Sequence, residues 1–497
     1  MKNLKTGLEL KIMAIAAYQW KIRNKLIDYC NFVFPNYGYP KHLSLMADEL
    51  EKLVDDEYDI LIFQAPPRGG KSELTSKIFP SYYLGKYPDN SIIHASHTAS
   101  LSNSFSREVR NWMETKLYKL IFPVSTQDDA RSVHNWRIAD CKGGFFSTGV
   151  GGAATGHGAN LFIIDDPFKN QEEAESQTIR DKVWAWYLSV AQTRLDDPDA
   201  KMIITMTRWH KDDLIGRILK DEEMNKKRIK IIKISAICED EKKDILNRKK
   251  KESYWPERWS AEHLLTIKNE RDDMSSKVWA ALYQQEPTDP KSKIVAYEQL
   301  GKETKPEYAS IKLGGADSAF TEKEKSCSNA LVVGYTDYRK SKIWIDKVFC
   351  QKISPYGFIN YIIAEHKMEK FTRLQIEDNG GGEVVCQWLE KESKEARNFV
   401  NGVQLQIPIF RHKSINDKRT RVLEMQPFLE KKKIVFNEKD SGCVELMKIL
   451  DDYDNAIMRD SVDALYFIFK AYENIIVHTG NEEEICLPQE EGSFCLN

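Results

Sequence analysis

Short apolar runs of strand length punctuate the first half of the chain, at 60–65, 91–95, 161–164 and 202–207. Stretches at helical spacing fall between them, among them 102–116 and 177–195. Strand–helix alternation of this kind predicts a largely parallel sheet with helices on both faces. From Tyr254 to Pro290 the pattern changes. A helical stretch is expected over 261–285, and the following Glu286-Pro287-Thr288-Asp289-Pro290-Lys291-Ser292 reads as a linker. Beyond it three β-rich runs, 312–316, 330–335 and 343–348, are separated by polar turns, as in an antiparallel meander. A helix (355–370), a strand (373–377), a helix (382–394) and a last helix (461–472) follow.

Three strands followed by helix, strand and helix is the element order of an RNase H-like fold. The chain is accordingly read as α/β in two parts, divided as an N-terminal helical segment (1–39), a mostly parallel α/β domain (40–255), a helical linker region (256–300), an RNase H-like domain (301–475) and an acidic tail (476–497). A length of 497 residues is too great for one hydrophobic core, which agrees with several domains. With 41% hydrophobic and 30% charged residues the composition is globular, and no apolar run approaches the roughly 20 residues that span a membrane. The first residues lack a signal-peptide apolar core, so a cytosolic protein is expected. Nine cysteines without a Cys-x-x-Cys pair argue against a zinc or disulfide framework. A net charge of −2 restricts any nucleic-acid contact to a local patch. Lys226-Lys227-Arg228 with Lys230 and Lys233, and Arg248-Lys249-Lys250-Lys251, are candidates, with a solvated surface as the alternative.

The chemistry starts at Ile60-Leu61-Ile62-Phe63-Gln64-Ala65-Pro66-Pro67-Arg68-Gly69-Gly70-Lys71-Ser72. This reads as a buried strand, a Gly-containing loop and a helix running to Phe79 and stopped by Pro80. Such a layout cradles nucleotide phosphates: Pro67, Arg68, Gly69 and Gly70 form the loop, Lys71 reaches the β/γ-phosphates, and the Ser72 hydroxyl ligates Mg²⁺. The loop opens with Ala65 where the strict pattern has Gly. Downstream, Asn160-Leu161-Phe162-Ile163-Ile164-Asp165-Asp166-Pro167 is an apolar strand ending in two carboxylates. Asp165 is the metal candidate and Asp166 the candidate base for the attacking water, with a capping Asp before Pro as the plainer alternative. At the end of a further strand, Thr207 and Arg208 would lie near the γ-phosphate and couple hydrolysis to movement. Arg68 serves as an arginine finger in cis or pairs with a nearby carboxylate. The Gly-rich run 149–158 is a ligand-gripping loop or a mobile turn.

The second half places carboxylates at element ends. Asp317 follows the first strand, Glu377 ends the fourth, and Asp460 and Asp463 open the last helix on one face. Brought together, such groups bind two Mg²⁺ or Mn²⁺ for phosphodiester cleavage. Asp317, Glu377 and Asp463 are the main candidates, Asp460 and Asp378 the lesser ones. Lys418 and Arg421 are candidate phosphate contacts or residues of a solvated helix.

Taken together, Pro66-Pro67-Arg68-Gly69-Gly70-Lys71-Ser72, Ile163-Ile164-Asp165-Asp166-Pro167, Thr207-Arg208-Trp209-His210, Tyr283-Gln284-Gln285-Glu286-Pro287 and the acidic trio resemble the large terminase subunit of tailed bacteriophages, over about residues 40 to 472. The resemblance implies a P-loop ATPase of the additional-strand class, then an RNase H-like endonuclease. It implies ATP and Mg²⁺ as cofactors, with Mn²⁺ as the alternative nuclease metal. Asp166 stands where the family commonly has Glu. The family's adenine-binding segment is expected between Pro40 and Leu53. Implied partners are double-stranded DNA, a portal protein, a small terminase subunit and further copies in a homo-oligomeric ring. The implied place of action is the cytoplasm of an infected bacterium, with no place in the mature virion. A translocating ATPase with an inactive distal domain, a decayed assembly module and a plain nuclease are the competing readings.

Overall fold

The computed structural model describes residues 13–475 apart from 14, 34, 36–38, 128–131, 155, 196, 272–273, 289–292, 319–327, 379–380, 395–398, 401–402, 405, 414–417, 454 and 457–458. The acidic tail 476–497, linker residues 289–292 and residues 379–380 lie outside the described residues. The chain divides into two compact units: Met1–Arg271 with Lys277–Pro290, and Asp272–Ser276 with Lys291–Asn497.

The first unit is built on seven strands: β1 (Ile60–Gln64), β2 (Ser91–Ser96), β3 (Asn135–Arg137), β4 (Gly144–Gly149), β5 (Leu161–Asp165), β6 (Lys201–Met206) and β7 (Ile229–Lys233). Their spatial order is β3-β4-β2-β5-β6-β1-β7, and every pairing is parallel except β3 with β4. Strands β1, β5 and β6 are buried along their whole length. Helices cover both faces of such a sheet, so these strands read as continuous apolar runs rather than alternating ones. Strand β6 stands between β1, which leads into the phosphate loop, and β5, which carries the carboxylate pair. That intervening strand is the mark of the additional-strand P-loop fold.

Several elements differ from the sequence reading. Pro80 does not stop the helix. A wide π-type turn over Glu73–Ile78 runs into an α-helix over Phe79–Lys86, and Pro80 sits in the first turn of that helix, where no backbone N–H is required. The helix expected over 102–116 runs from Ala99 to Met113. Thr98 caps it, and Thr115 caps a second one, Lys116–Ile121. The stretch 261–285 is broken into Ala261–Glu270 and a turn-wide helical segment from Ser276 to Tyr283, because Arg271 is extended. Strands β3, β4 and β7 were not expected: β4 is framed by glycines, and the lysines of β7 made it read as a basic patch.

The second unit holds another seven-stranded sheet, with β8 (Gly301–Lys302), β9 (Ile311–Asp317), β10 (Asn329–Thr336), β11 (Ile343–Gln351) and β12 (Arg373–Glu377). A separate ribbon pairs β13 (Phe399–Val400) with β14 (Val403–Gln404), and β15 (Ile409–His412) and β16 (Ile434–Phe436) complete the main sheet. The order is β15-β12-β9-β10-β11-β16-β8. Strands β9 to β11 form the antiparallel meander, and β12 and β15 add on parallel beside β9. This is the RNase H-like arrangement. One face is covered by the helices Lys418–Glu430, Ser441–Asp451 and Asp460–Glu473, and the other by Pro355–Met368 and Gly381–Lys394.

Helix Asp460–Glu473 lies directly on β9. A Cβ at Gly315 would stand 2.1 Å from the Ala464 carbonyl oxygen and 2.4 Å from the Ile468 nitrogen. The absent side chain at Gly315 therefore sets how closely the acidic start of this helix approaches Asp317. We expect Gly315→Ala to destabilise the second unit by about 1–3 kcal/mol, the usual range for overpacking a tight contact. Calorimetry of the full chain checks this, and an unshifted transition would contradict the close packing.

Candidate active sites

In the first unit the loop between β1 and the following helix is bent by Arg68 and Gly70, both left-handed (φ 57° and 83°). Such turns direct successive backbone N–H groups into an anion-binding concavity. Lys71 is 6% exposed, and its ammonium group donates to Thr207 Oγ1 at 3.0 Å and pairs with Asp166 Oδ2 at 3.2 Å. Asp166 is itself left-handed (φ 42°), a conformation a non-glycine residue adopts only when its surroundings hold it there. The Thr207 backbone N–H supplies one hold, donating to Asp166 Oδ1 at 2.9 Å. Asp165 is 1% exposed, and its two oxygens accept from Ser72 Oγ (2.9 Å) and Ser76 Oγ (2.8 Å). Burial, and then the neighbouring Asp166 charge, push the Asp165 carboxyl up to about 7. A carboxylate so strained by desolvation and a like charge fits a divalent cation shared with the Ser72 hydroxyl.

Lys71, Ser72, Asp165, Asp166 and Thr207 are thus brought together from three strand ends. Ser76 was missed, and its signal was the i, i+4 spacing from Ser72, which puts both hydroxyls on one helix face. Arg208 is placed otherwise. Its guanidinium pairs with fully buried Asp213 (2.7 Å), which also caps the next helix, Leu214–Ile218. Its backbone N–H donates to Gln285 Oε1 at 3.0 Å. Gln284 grips both the N–H and the carbonyl of Ile237, so the Tyr283-Gln284-Gln285 motif ties the end of β6 to the segment after β7. Arg68 is exposed on the loop, with Pro67 half-buried beside it. His42 is buried under the loop, with Nε2 2.8 Å from the Gly69 carbonyl and its ring 4.9 Å from that of Tyr254. Four residues of the basic runs meet acids: Arg228 pairs with Asp56 and Asp59, Lys226 with Glu223, Lys233 with Glu286 and Arg248 with Asp244.

In the second unit, Asp317, Asp460 and Asp463 offer ligand oxygens all within 4.8 Å of one another. Burial, followed by the charges of Asp463 and Glu377, holds the Asp317 carboxyl well above the ordinary range, and burial raises Asp463 as well. Asp460 is fixed by the Ser328 N–H at 2.8 Å. Asp463 receives Lys418 Nζ at 2.6 Å and Arg421 Nη1 at 3.0 Å, while Arg421 Nη2 reaches Glu377 at 3.1 Å. Asp460, the lesser candidate, joins the tight trio, and Glu377 is linked to it through Arg421. Asp378 lies 3.8 Å from Arg411. Three carboxylates in a partly desolvated pocket suit hard divalent cations.

The fold defines a class: a P-loop unit of the additional-strand type joined to an RNase H-like unit that carries an acidic cluster. Residues 62–279 match the family model described as terminase large subunit, T4likevirus-type, N-terminal. Over that stretch the chain is similar to the terminase large subunit family. Among solved structures it is similar to the large terminase of a thermophilic bacteriophage, at 11% identity and a TM-score of 0.42, covering 91% of this chain and 98% of that one. It is similar to the large terminase of bacteriophage HK97 at 13% identity and a TM-score of 0.30, covering 85% and 94%. The nuclease domain of the large terminase from bacteriophage SPP1 with bound Mn matches at 15% identity and a TM-score of 0.26, covering 36% of this chain and 98% of that one. Among curated proteins none matches.

The raised Asp165 carboxyl gives a pH-dependent stability. Its folded pKa lies above the unfolded value, so its stabilising protonation is complete below about pH 4 and lost as pH rises through about 7. In EDTA and without nucleotide, Asp165→Asn is expected to stabilise the first unit at pH 8 by on the order of 2–4 kcal/mol, with little gain at pH 4. Thermal unfolding across this range checks it, and a gain equal at both pH values would contradict it.

Proposed function

We propose that the chain is a viral DNA-packaging motor subunit, whose first unit hydrolyses ATP to drive double-stranded DNA into a prohead and whose second unit cuts concatemeric genomic DNA. The observation that supports this reading is the presence, on one chain similar to the terminase large subunit family over 62–279, of a strand–loop–helix whose Ser72 meets a carboxylate pair and of a separate, partly buried carboxylate trio.

In the first unit Lys71 leaves Asp166 and Thr207 for the β/γ-phosphates when nucleotide enters. Asp166 Oδ2 is thereby freed to accept a proton from the attacking water, while Oδ1 stays fixed by the Thr207 N–H. Ser72 and Asp165 hold Mg²⁺, which neutralises charge developing on the phosphates. Thr207 senses where the Lys71 ammonium is and passes that to β6. Arg68 supplies transition-state charge from the exposed side of the loop, and Arg208 acts in coupling through its anchor on Asp213. Asp166 is shorter than Glu, and its left-handed backbone and Thr207 contact compensate by fixing where the carboxylate points.

In the second unit Asp317, Asp460, Asp463 and Glu377 hold the divalent cations, Mg²⁺ or Mn²⁺, that activate water and stabilise the leaving oxygen. Lys418 and Arg421, which pair with Asp463 and Glu377, are placed to meet the DNA phosphates beside the carboxylates. Duplex contacts are mainly to phosphate and weaken steeply with salt. Work as a motor brings in a portal protein, a small terminase subunit and further copies in a ring, within the host cytoplasm and outside the mature virion.

Two separable sites make a direct test. With the full chain, supercoiled plasmid and Mn²⁺ or Mg²⁺, Asp317→Asn is expected to lower cleavage by on the order of 10²-fold or more and to leave ATP hydrolysis nearly unchanged. Lys71→Ala should do the reverse. ATP hydrolysis without cutting by the unaltered protein under either metal would sink the nuclease assignment, and cutting without hydrolysis would sink the motor.

A further inference from the structure

The loop that follows β1 turns on two adjacent glycines, Gly69 and Gly70, and glycine on both sides lets the peptide plane between them rotate easily. Gly70 is left-handed (φ 83°), as is Arg68 ahead of the pair (φ 57°). The Gly69 N–H is taken up by the Pro66 carbonyl at 3.3 Å, which leaves the Gly70 N–H as the next donor for a phosphate. Across a planar trans peptide the Gly69 carbonyl and the Gly70 N–H point in opposite directions. Whatever holds that carbonyl therefore aims that N–H.

The holder is His42, the second residue of the helix Lys41–Val54, and it is fully buried. Its Nε2 stands 2.8 Å from the Gly69 oxygen. Burial holds the imidazole down to about 4, so the ring is neutral and carries one N–H. A carbonyl only accepts, which puts that proton on Nε2. The ring is kept in place by Tyr254, with centroids 4.9 Å apart and 64° between the planes, and by Trp255 at 5.4 Å and 55°. Tyr254 rests on the loop as well, since a Cβ on Gly69 would lie 3.3 Å from its Cε2. A polar ring buried to this depth loses its hydration, and the bond to the loop offsets that loss. The family resemblance puts adenine contacts in the segment 40–53, yet this side chain meets the loop backbone.

Resting on the nucleotide-binding reading above, we propose that His42 is a positioning residue of the phosphate loop, which holds the Gly69 carbonyl and so turns the Gly70 N–H to the bound phosphate. The imidazole acts through the peptide plane and touches neither nucleotide nor metal. Without its bond the plane between the two glycines has a second orientation open to it. In that flipped state the carbonyl oxygen, rather than the N–H, meets the phosphate and repels it. The loss lies at the phosphates, so a nucleotide and a bare phosphate chain are weakened alike.

The test uses the full chain with Mg²⁺ and two probes, ATP and inorganic tripolyphosphate, in titration calorimetry. His42→Phe keeps a ring beside Tyr254 and Trp255 but has no donor, and is expected to weaken both probes by the same factor, about tenfold. His42→Gln, whose amide N–H can reach the carbonyl, is expected to recover most of that loss, which a role in packing alone would not give. A second measurement needs no loss of binding: in the unaltered protein with labelled histidine, nitrogen NMR of the His42 ring, assigned against His42→Gln, is expected to show the Nε2–H tautomer. Weakening of ATP alone would put His42 at the nucleoside end and overturn the proposal. Undiminished binding by His42→Phe, a glutamine variant no better than the phenylalanine one, or an Nδ1–H tautomer would overturn it too, while the nucleotide site stands. Failure of the unaltered protein to bind either probe would bring down the nucleotide-binding reading and this proposal with it.

Discussion

A buried carboxylate beside a second one needs compensating partners close at hand, and the first unit is organised around that constraint at Asp165. Asp165 ends β5 and Asp166 follows it, and β6 separates them from the strand that delivers Lys71. The ammonium reaches across to Asp166, while the hydroxyls of Ser72 and Ser76 cover both oxygens of Asp165. Asp165 remains the strained member, because burial and its neighbour both work against its charge.

The second unit meets the same constraint with other parts. The last helix carries two aspartates on its first turn, and its close approach to β9 over Gly315 brings them to Asp317. Lys418 and Arg421, from a helix that packs on the same face, supply the balancing charge. Arg421 bridges Asp463 and Glu377, so a side chain from one element holds together carboxylates from two others. Buried charges left unpaired would cost several kcal/mol each, which makes this bridge part of the fold as much as of the chemistry.

Much of this could be read from the chain. Strands β1, β5, β6, β9 and β12 were visible because they are buried and apolar, and each of their ends carries a polar residue that an apolar run alone would not explain. The glycines flanking β4, the lysines in β7 and Pro80 misled in the other direction, since each is a local signal that tertiary packing overrode. The basic runs around Arg228 and Arg248 were open to two readings, a nucleic-acid patch or a solvated surface. The acids that pair with them, Asp56, Asp59 and Asp244, are in part far away in sequence, and only folding brings them near.

The sequence by itself determined the candidate sets: a Gly-containing loop with Lys71 and Ser72, the Asp165-Asp166 pair, and carboxylates at element ends downstream, all on one chain. These depend on residue type and short spacing, which linear order records. Tertiary structure alone decided the membership of each site. It brought Ser76 to Asp165, drew Asp460 into the trio while linking Glu377 through Arg421, and anchored Arg208 on Asp213. The reason is that desolvation and charge act over a few ångströms in space, and the strand order that sets those distances is fixed by packing between residues remote in the chain.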